Sequence, residues 1–425
     1  MIKFWKILYN VVVIPAMVIF FRTFSVFNKK IERGIKDRKK LFENLIISLA
    51  DIDKSKKIIW FHSSSMGEFE QAKPIIKKLK LETDVNIAIT FFSPSGYRNS
   101  LKYPYADIIN YIPLDTPRLA KRFLSLLNPK LAVFMRYDIW PNFMWELNRR
   151  NIPSLLVDAT MNKNSKRKLP GIKSFHKCLF GKVTRILTVS EEDKIQFLDF
   201  RIPDKNIESV GDTRFDRVYQ KSIQAKERKL FDESVLNGKK IFVFGSSWEA
   251  DEEVVFPAFT KLAEKDKSVV MIIAPHEPTE LHLEKLEHYF AKTFKTIRFS
   301  DIRNYKDERI IIVDSIGILL TLYYYAHVAF VGGSFKQGIH NVLEPSVYGI
   351  PVMFGPKHSN SQEAVELVKL GGAVSVKDRR GAYKYLRTFF SNEDKRKFAG
   401  GIAYNFVNSN IGATDKILKH IYKYI

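Results

Sequence analysis

Lys57-Ile58-Ile59-Trp60-Phe61-His62-Ser63-Ser64-Ser65-Met66-Gly67-Glu68 is a short apolar run that stops at a histidine and three serines. An amphipathic stretch begins near Phe69. Apolar runs of this length, closed by small polar residues and followed by a helical pattern, read as strands buried on both faces of a parallel sheet. The unit recurs at Val85–Thr90, Leu131–Met135, Ser154–Val157 and Arg185–Val189, with helical stretches such as Arg118–Leu127 between. Strands alternating with helices in this way predict a doubly wound α/β domain.

The pattern then restarts at Lys240–Gly245, Val269–Pro275, Ile310–Val313, Val328–Val331 and Pro351–Phe354. The seam falls near Val218, between Gly211-Asp212-Thr213-Arg214-Phe215-Asp216 and the charged helix expected over Gln224–Phe231. The expected divisions are an N-terminal anchor with its basic flank (1–35), a first Rossmann-like acceptor domain (36–218), a second, nucleotide-sugar donor domain (219–405), and a C-terminal helix (406–425) free to cross back onto the first. Ligands of such sheets sit outside the carboxyl ends of the strands. Chemistry is therefore expected on the loops that follow them, in a cleft between the two domains.

The totals agree with a globular protein: 45% hydrophobic and 27% charged residues over a length of 425. A single cysteine, Cys178, excludes an internal disulfide, and no Cys/His cluster has zinc spacing. A buried or half-buried structural thiol is the plain reading of Cys178. The net charge of +23 attracts polyanions. No zinc finger, basic-region zipper or aromatic RNA-binding motif is present, which turns the expectation from nucleic acid to an anionic membrane surface.

Ile7–Phe21 reads ILYNVVVIPAMVIFF. It reaches the roughly 20 residues of a spanning helix only by running through Arg22 and Thr23 to Phe27. A short span, a helix dipping into one leaflet, a signal peptide and a buried N-terminal helix are the readings. No small-residue cleavage site follows. Instead Arg22, Lys29, Lys30, Arg33, Lys36, Arg38, Lys39 and Lys40 do, against Lys3 and Lys6 before the run. Positive-inside asymmetry places the globular part in the cytoplasm, and the same cluster suits anionic headgroups.

Two loops carry candidate chemistry. In the first, Ser64, Ser65 and Gly67 leave backbone N–H groups open to an anion at a helix start, and Glu68 is placed to act as a general base toward a hydroxyl. Ser65 and Glu68 also have the spacing of a capping box. His62 reads as a core or loop histidine. In the second, Gly332-Gly333-Ser334-Phe335-Lys336-Gln337-Gly338-Ile339-His340-Asn341-Val342-Leu343-Glu344 follows a strand and leads to a helix expected near Asn341. Its glycines allow close backbone approach, the helix start favours phosphate, and Glu344 can accept from a ribose diol. Ser246-Ser247-Trp248 and Pro275-His276 end neighbouring strands and add candidate contacts to a base or phosphate. Plain turn chemistry explains the same residues.

In this order the segments resemble the transferases that add 3-deoxy-D-manno-octulosonic acid (Kdo) to lipid A precursors. The resemblance covers nearly the whole chain. It rests on the apolar N-terminus, His62–Glu68, Thr90–Gly96, Pro113-Leu114-Asp115, Trp140-Pro141-Asn142, Gly211–Asp216, Gly332–Pro345 and Phe354-Gly355-Pro356. It implies a GT-B glycosyltransferase with two Rossmann-like domains, held at the cytoplasmic face of the inner membrane. It implies inverting transfer of Kdo from CMP-Kdo to a tetraacyl lipid A precursor, without a cofactor or tightly bound metal. The family's base falls on Glu68. Its nucleotide-sugar site falls on Gly333, Ser334, Lys336, Gly338, His340, Asn341 and Glu344, with Ser246, Ser247, Trp248, Pro275 and His276 beside them. Three segments depart from the family's habit: Arg136-Tyr137-Asp138 stands for Glu-Thr-Glu, Asp158-Ala159-Thr160 for Asn-Ala-Arg, and Pro275-His276-Glu277-Pro278 for Pro-Arg-His-Pro. The rival readings are another GT-B nucleotide-sugar enzyme, such as an epimerase, and a membrane-tethered anion-binding protein without chemistry.

Overall fold

The computed structural model describes residues 2–425. Contacts divide the chain into two compact units, the residues up to Arg217 joined by Gly412–Ile425, and Val218–Ile411.

The first unit holds seven parallel strands in the order β3-β2-β1-β4-β5-β6-β7. They are β1 (Ile58–Ser63), β2 (Asn86–Phe91), β3 (Ile108–Tyr111), β4 (Leu131–Met135), β5 (Ser154–Ala159), β6 (Arg185–Thr188) and β7 (Ile207–Ser209). Side chains alternate between two cores: on β1, Ile59 and Phe61 pack to one face and Trp60 to the other, all fully buried. Burial of side chains this size contributes about 1.5–3 kcal/mol each. Strands β3 and β7 escape the apolar-run reading because each is an edge strand of only a few residues.

The segment Gly211–Asp216 ties distant elements together. Thr213 donates its N–H to Asp158 at the end of β5 at 3.3 Å, and its hydroxyl to the same carboxylate. Asp216 accepts from the N–H of Gly412 (2.6 Å) and from the N–H and hydroxyl of Thr414 (2.7 Å each). It thus caps the closing helix Ala413–Ile421, whose own N-cap, Gly412, offers no side chain. The chain returns to the first unit at Gly412, not at 406: residues 406–409 still belong to the helix Glu393–Ser409, and the closing helix is Ala413–Ile421.

The N-terminal helix runs Ile2–Ser25, with mean hydropathy 1.9 over its apolar window. At 1.5 Å per residue it is long enough to cross a hydrocarbon core of roughly 30 Å. Only 11% of that window is buried, so it is not a core helix. One stripe of it packs on the first unit, where Tyr9 and Ile14 cluster with Trp145 and Leu179. A π-helical turn, Tyr9–Val13, interrupts it.

The second unit repeats the plan. Seven parallel strands lie in the order β10-β11-β9-β8-β12-β13-β14. They are β8 (Lys240–Ser247), β9 (Val269–Pro275), β10 (Thr296–Arg298), β11 (Ile310–Ile312), β12 (Val328–Val331), β13 (Val352–Phe354) and β14 (Ala373–Ser375). Phe242 and Phe244 face one core and Ile241 and Val243 the other.

Candidate active site

In each sheet the strand order reverses direction at one point, and the candidate loops leave the strands there. In the first unit that point lies between β1 and β4, so the loops after Ser63 and Met135 flank the crevice where doubly wound sheets take ligands.

Glu68 is half-buried in the first turn of the helix Met66–Glu82. Its Oε2 accepts from the N–H of Ser64 (2.6 Å) and Ser65 (3.2 Å), while Ser65 Oγ accepts from Glu68 N (3.4 Å). The capping box therefore forms. The expected open anion site at Ser64 and Ser65 is filled by Glu68's own carboxylate, and Gly67 is exposed beside it. Burial, and then the charge of Asp138, raise the Glu68 carboxyl above its ordinary range, against the pull of the two serine amides. A carboxylate so raised is a better base near neutrality.

Asp138 is the residue the sequence reading passed over. Its Oδ2 lies 2.9 Å from His62 Nε2 and 3.2 Å from Trp140 Nε1, and takes the Ser64 hydroxyl as well. His62 Nε2 also lies 3.1 Å from Trp140 Nε1, so Asp138, His62 and Trp140 close one polar cluster. The other His62 nitrogen, Nδ1, meets Thr90 Oγ1 at 2.9 Å. His62 is fully buried near the end of β1 with both nitrogens engaged, the core histidine of the two expected readings. The neighbouring Arg136, in left-handed backbone with φ 60°, turns away toward Thr160 Oγ1 at 3.5 Å.

In the second unit the order reverses between β8 and β12. A cavity of about 570 Å³ opens there, lined among others by Ser246, His276, His340, Asn341 and Glu344. Five of the expected residues thus meet, in a space within the usual size range of a small-ligand pocket. Asn341 Nδ2 donates to Glu344 Oε1 at 3.1 Å, and Ser246 has φ 53°, a strained position of the kind that clusters at functional sites. Ser247, Trp248 and Lys336 line a second cavity of about 350 Å³, with His276 shared by both. The rings of Trp248, His276 and His340 stack between the two, with Trp248–His276 centroids 4.6 Å apart and His276–His340 4.5 Å. Trp248 Nε1 donates to His340 Nε2 at 3.1 Å. Burial and His276 lower the His340 imidazole below its ordinary value, so near neutrality it offers a donor from Nδ1 and no charge.

The glycine loop departs from its expected role. The N–H groups of Gly333 (2.7 Å) and Phe335 (3.3 Å) are taken by the carboxylate of Asp251. Ser334 is fully buried, its Oγ accepting from Gly355 N at 2.5 Å. Gly333, Ser334, Gly338 and Pro275 do not line the two cavities; they shape the turn behind them. At Gly332 a Cβ would stand 2.1 Å from the Ser246 carbonyl oxygen, so the residue has to be glycine. The helix begins at Leu343, two residues later than expected, and lasts one turn.

Lys221 and Arg228 also line the larger cavity. The charged helix expected over Gln224–Phe231 instead begins at Thr213 and ends at Glu227. It places Lys221, Gln224 and Ala225 on one face, while Arg228 follows just past its end.

A family model described as 3-Deoxy-D-manno-octulosonic-acid transferase (kdotransferase) matches residues 35–217. The chain is 30% identical over 324 residues to a 3-deoxy-D-manno-octulosonic acid transferase from Aquifex aeolicus, covering 75% of this chain and 81% of that protein. It is also 30% identical over 347 residues to a bifunctional glycosyltransferase/methyltransferase from Fusobacterium nucleatum. There it covers 79% of this chain but spans only 52% of the longer relative. Among solved structures, a UDP-GlcNAc 2-epimerase from Neisseria meningitidis bound to UDP-GlcNAc superposes with TM-score 0.61 at 12% identity, over 86% of this chain and all of that one. That last likeness speaks to the fold alone.

Proposed function

From the premise that this chain belongs to the 3-deoxy-D-manno-octulosonic acid transferase family, we propose that it transfers Kdo from CMP-Kdo to a tetraacyl lipid A precursor, with Glu68 as general base. The observation that carries the reading is the placing of Glu68 where the first sheet reverses, its Oε2 held by the Ser64 and Ser65 amides; burial and the charge of Asp138, which raise its carboxyl, support it.

The acceptor hydroxyl gives its proton to Glu68 Oε1 while its oxygen bonds to the anomeric carbon of Kdo. The bond from that carbon to the phosphate oxygen breaks, and CMP leaves with the electron pair. A single displacement of this kind inverts the anomeric centre. Glu68 then releases the proton to solvent. Its Oε2 stays on the Ser64 and Ser65 amides, which fixes the carboxylate plane.

The charge that builds on the departing phosphate suits Lys221 and Arg228, which line the larger cavity. Neutral His340 adds a hydrogen bond through Nδ1. Glu344 suits the ribose diol, and the ring of His276 suits a face of the base. The apolar helix Ile2–Ser25 and the basic residues from Arg22 to Lys40 support a site at the cytoplasmic face of the inner membrane, where the acceptor's acyl chains remain in lipid.

The test is transfer from CMP-Kdo to tetraacyl lipid A precursor in detergent by the native chain, Glu68→Gln and Glu68→Ala. The reading expects product from the native chain, turnover at least roughly a hundredfold lower in both variants, and unchanged CMP binding. No product from the native chain rejects the substrates. Equal turnover in all three makes Glu68 a helix cap.

A further inference from the structure

Two of the motifs quoted above, Pro113-Leu114-Asp115 and Trp140-Pro141-Asn142, meet in the first unit at the start of the helix Pro141–Arg149. That helix has no side-chain cap of its own at Trp140. Asp115, fully buried, supplies one from a distance: it accepts from Asn142 N (3.1 Å) and Phe143 N (3.2 Å). The same carboxylate accepts from the hydroxyl of Tyr9 at 2.9 Å. Next to it, the side-chain amides of Asn10 and Asn142 pair reciprocally, at 3.1 and 2.9 Å.

Tyr9 and Asn10 are the two polar side chains in the apolar run Ile7–Phe21, and both are spent on this junction. The π-helical turn explains how they reach it. The packed stripe of the N-terminal helix runs Trp5, Tyr9, Ile14, Val18, Phe21, where the step of five from Tyr9 to Ile14 is the repeat of a π turn. A regular helix would bring Val13, not Ile14, beneath Tyr9. The turn keeps one face on the protein and leaves Ile7, Val11, Ile19 and Phe20 exposed on the other.

From the junction a continuous path leads to Glu68. The capped helix fixes Trp140. Trp140 donates to Asp138, and Asp138 holds Ser64 and His62. Ser64 N holds Glu68 at 2.6 Å. A second contact runs alongside: Phe21 meets Phe92 (5.7 Å between centroids), and Phe92 meets Trp140 (5.0 Å).

We propose that Tyr9 and Asn10 are positioning residues for transfer: seating of the N-terminal helix on the Asp115–Asn142 junction sets the Asp138–Trp140 turn and, through it, the Glu68 carboxylate. The helix is thus part of the catalytic framework as well as a membrane attachment. The inference rests on the Kdo-transfer reading for its kinetic test only.

The full-length chain is compared with Tyr9→Phe and Asn10→Leu, in detergent and in vesicles of phosphatidylethanolamine and phosphatidylglycerol. Both substitutions keep the helix apolar, so vesicle binding is expected to hold. The expected result is kcat roughly tenfold lower, the scale of one lost hydrogen bond to a carboxylate, with donor KM unchanged. Amide exchange in residues 136–143 is expected to quicken, with the unfolding temperature and exchange elsewhere unchanged. Native kcat in both variants overturns the proposal, as does a loss of kcat that follows a loss of vesicle binding or of folded protein. If the native chain transfers no Kdo, the functional reading fails on its own. Exchange in 136–143 then decides the coupling, and native exchange in both variants rejects it.

Discussion

Glu68 and Asp138 are like charges in one unit: burial first, and then the charge of Asp138, make ionisation of the Glu68 carboxyl harder. A general base must be deprotonated, so activity falls as pH drops through the Glu68 value. Asp138→Asn keeps an oxygen for Ser64, His62 and Trp140 but removes the charge. The acid limb of the kcat profile is expected to move to lower pH, and the plateau to fall severalfold as the base weakens. A limb left where it was would remove Asp138 from the account.

Lys221 and Arg228 are expected to act on the donor. Each replaced singly by Ala should raise the KM for CMP-Kdo roughly tenfold, the effect of one charge-assisted bond to phosphate. Because the cavity is open to solvent, the loss should shrink as salt is added. Titration calorimetry with CMP supplies the check, and native affinity in both variants would move the phosphate elsewhere.

Gly332→Ala places a methyl group on the Ser246 carbonyl, where no side chain can yield. An overpacking penalty of about 1–3 kcal/mol is expected, together with lost CMP binding as the Ser246 turn is displaced. Thermal unfolding and CMP titration of the same sample measure both.

Asp216→Ala removes three hydrogen bonds from the start of the closing helix. Loss of roughly 2–4 kcal/mol is expected at that end of the first unit. Proteolysis should cut near residues 406–412 in the variant while the native chain resists. Equal resistance would mean that the packing of Ile417, Leu418 and Ile421 alone holds the helix.

The central strands were legible because burial on both faces demands unbroken apolar runs, and Ile58–Phe61 or Val328–Val331 can be little else. The edges were not: Thr296–Arg298 and Ala373–Ser375 are three residues each, with too little apolar surface to stand out. Glu68, His340, Asn341 and Glu344 could be proposed because they stand in segments that follow strands. Asp115, Asp138 and Asp251 could not be assigned, since each works by accepting bonds from residues far away in sequence. Sequence reading also handed the glycine-loop amides to a ligand, when a buried aspartate already holds them. Lys221 and Arg228 show only charge in the sequence; the cavity they line is a property of the fold.

The π-helical turn at Tyr9–Val13 has a bearing on how the protein can be re-engineered. One residue removed from the turn would return the helix to regular phase and swing everything before it by about 100°. Hydropathy, length and charge would hardly change, yet Tyr9 would leave Asp115. If the helix attaches to a membrane as proposed above, a borrowed segment of equal apolarity is expected to restore attachment without restoring the contact to Asp115. The N-terminus is a fitted part, not an interchangeable tether.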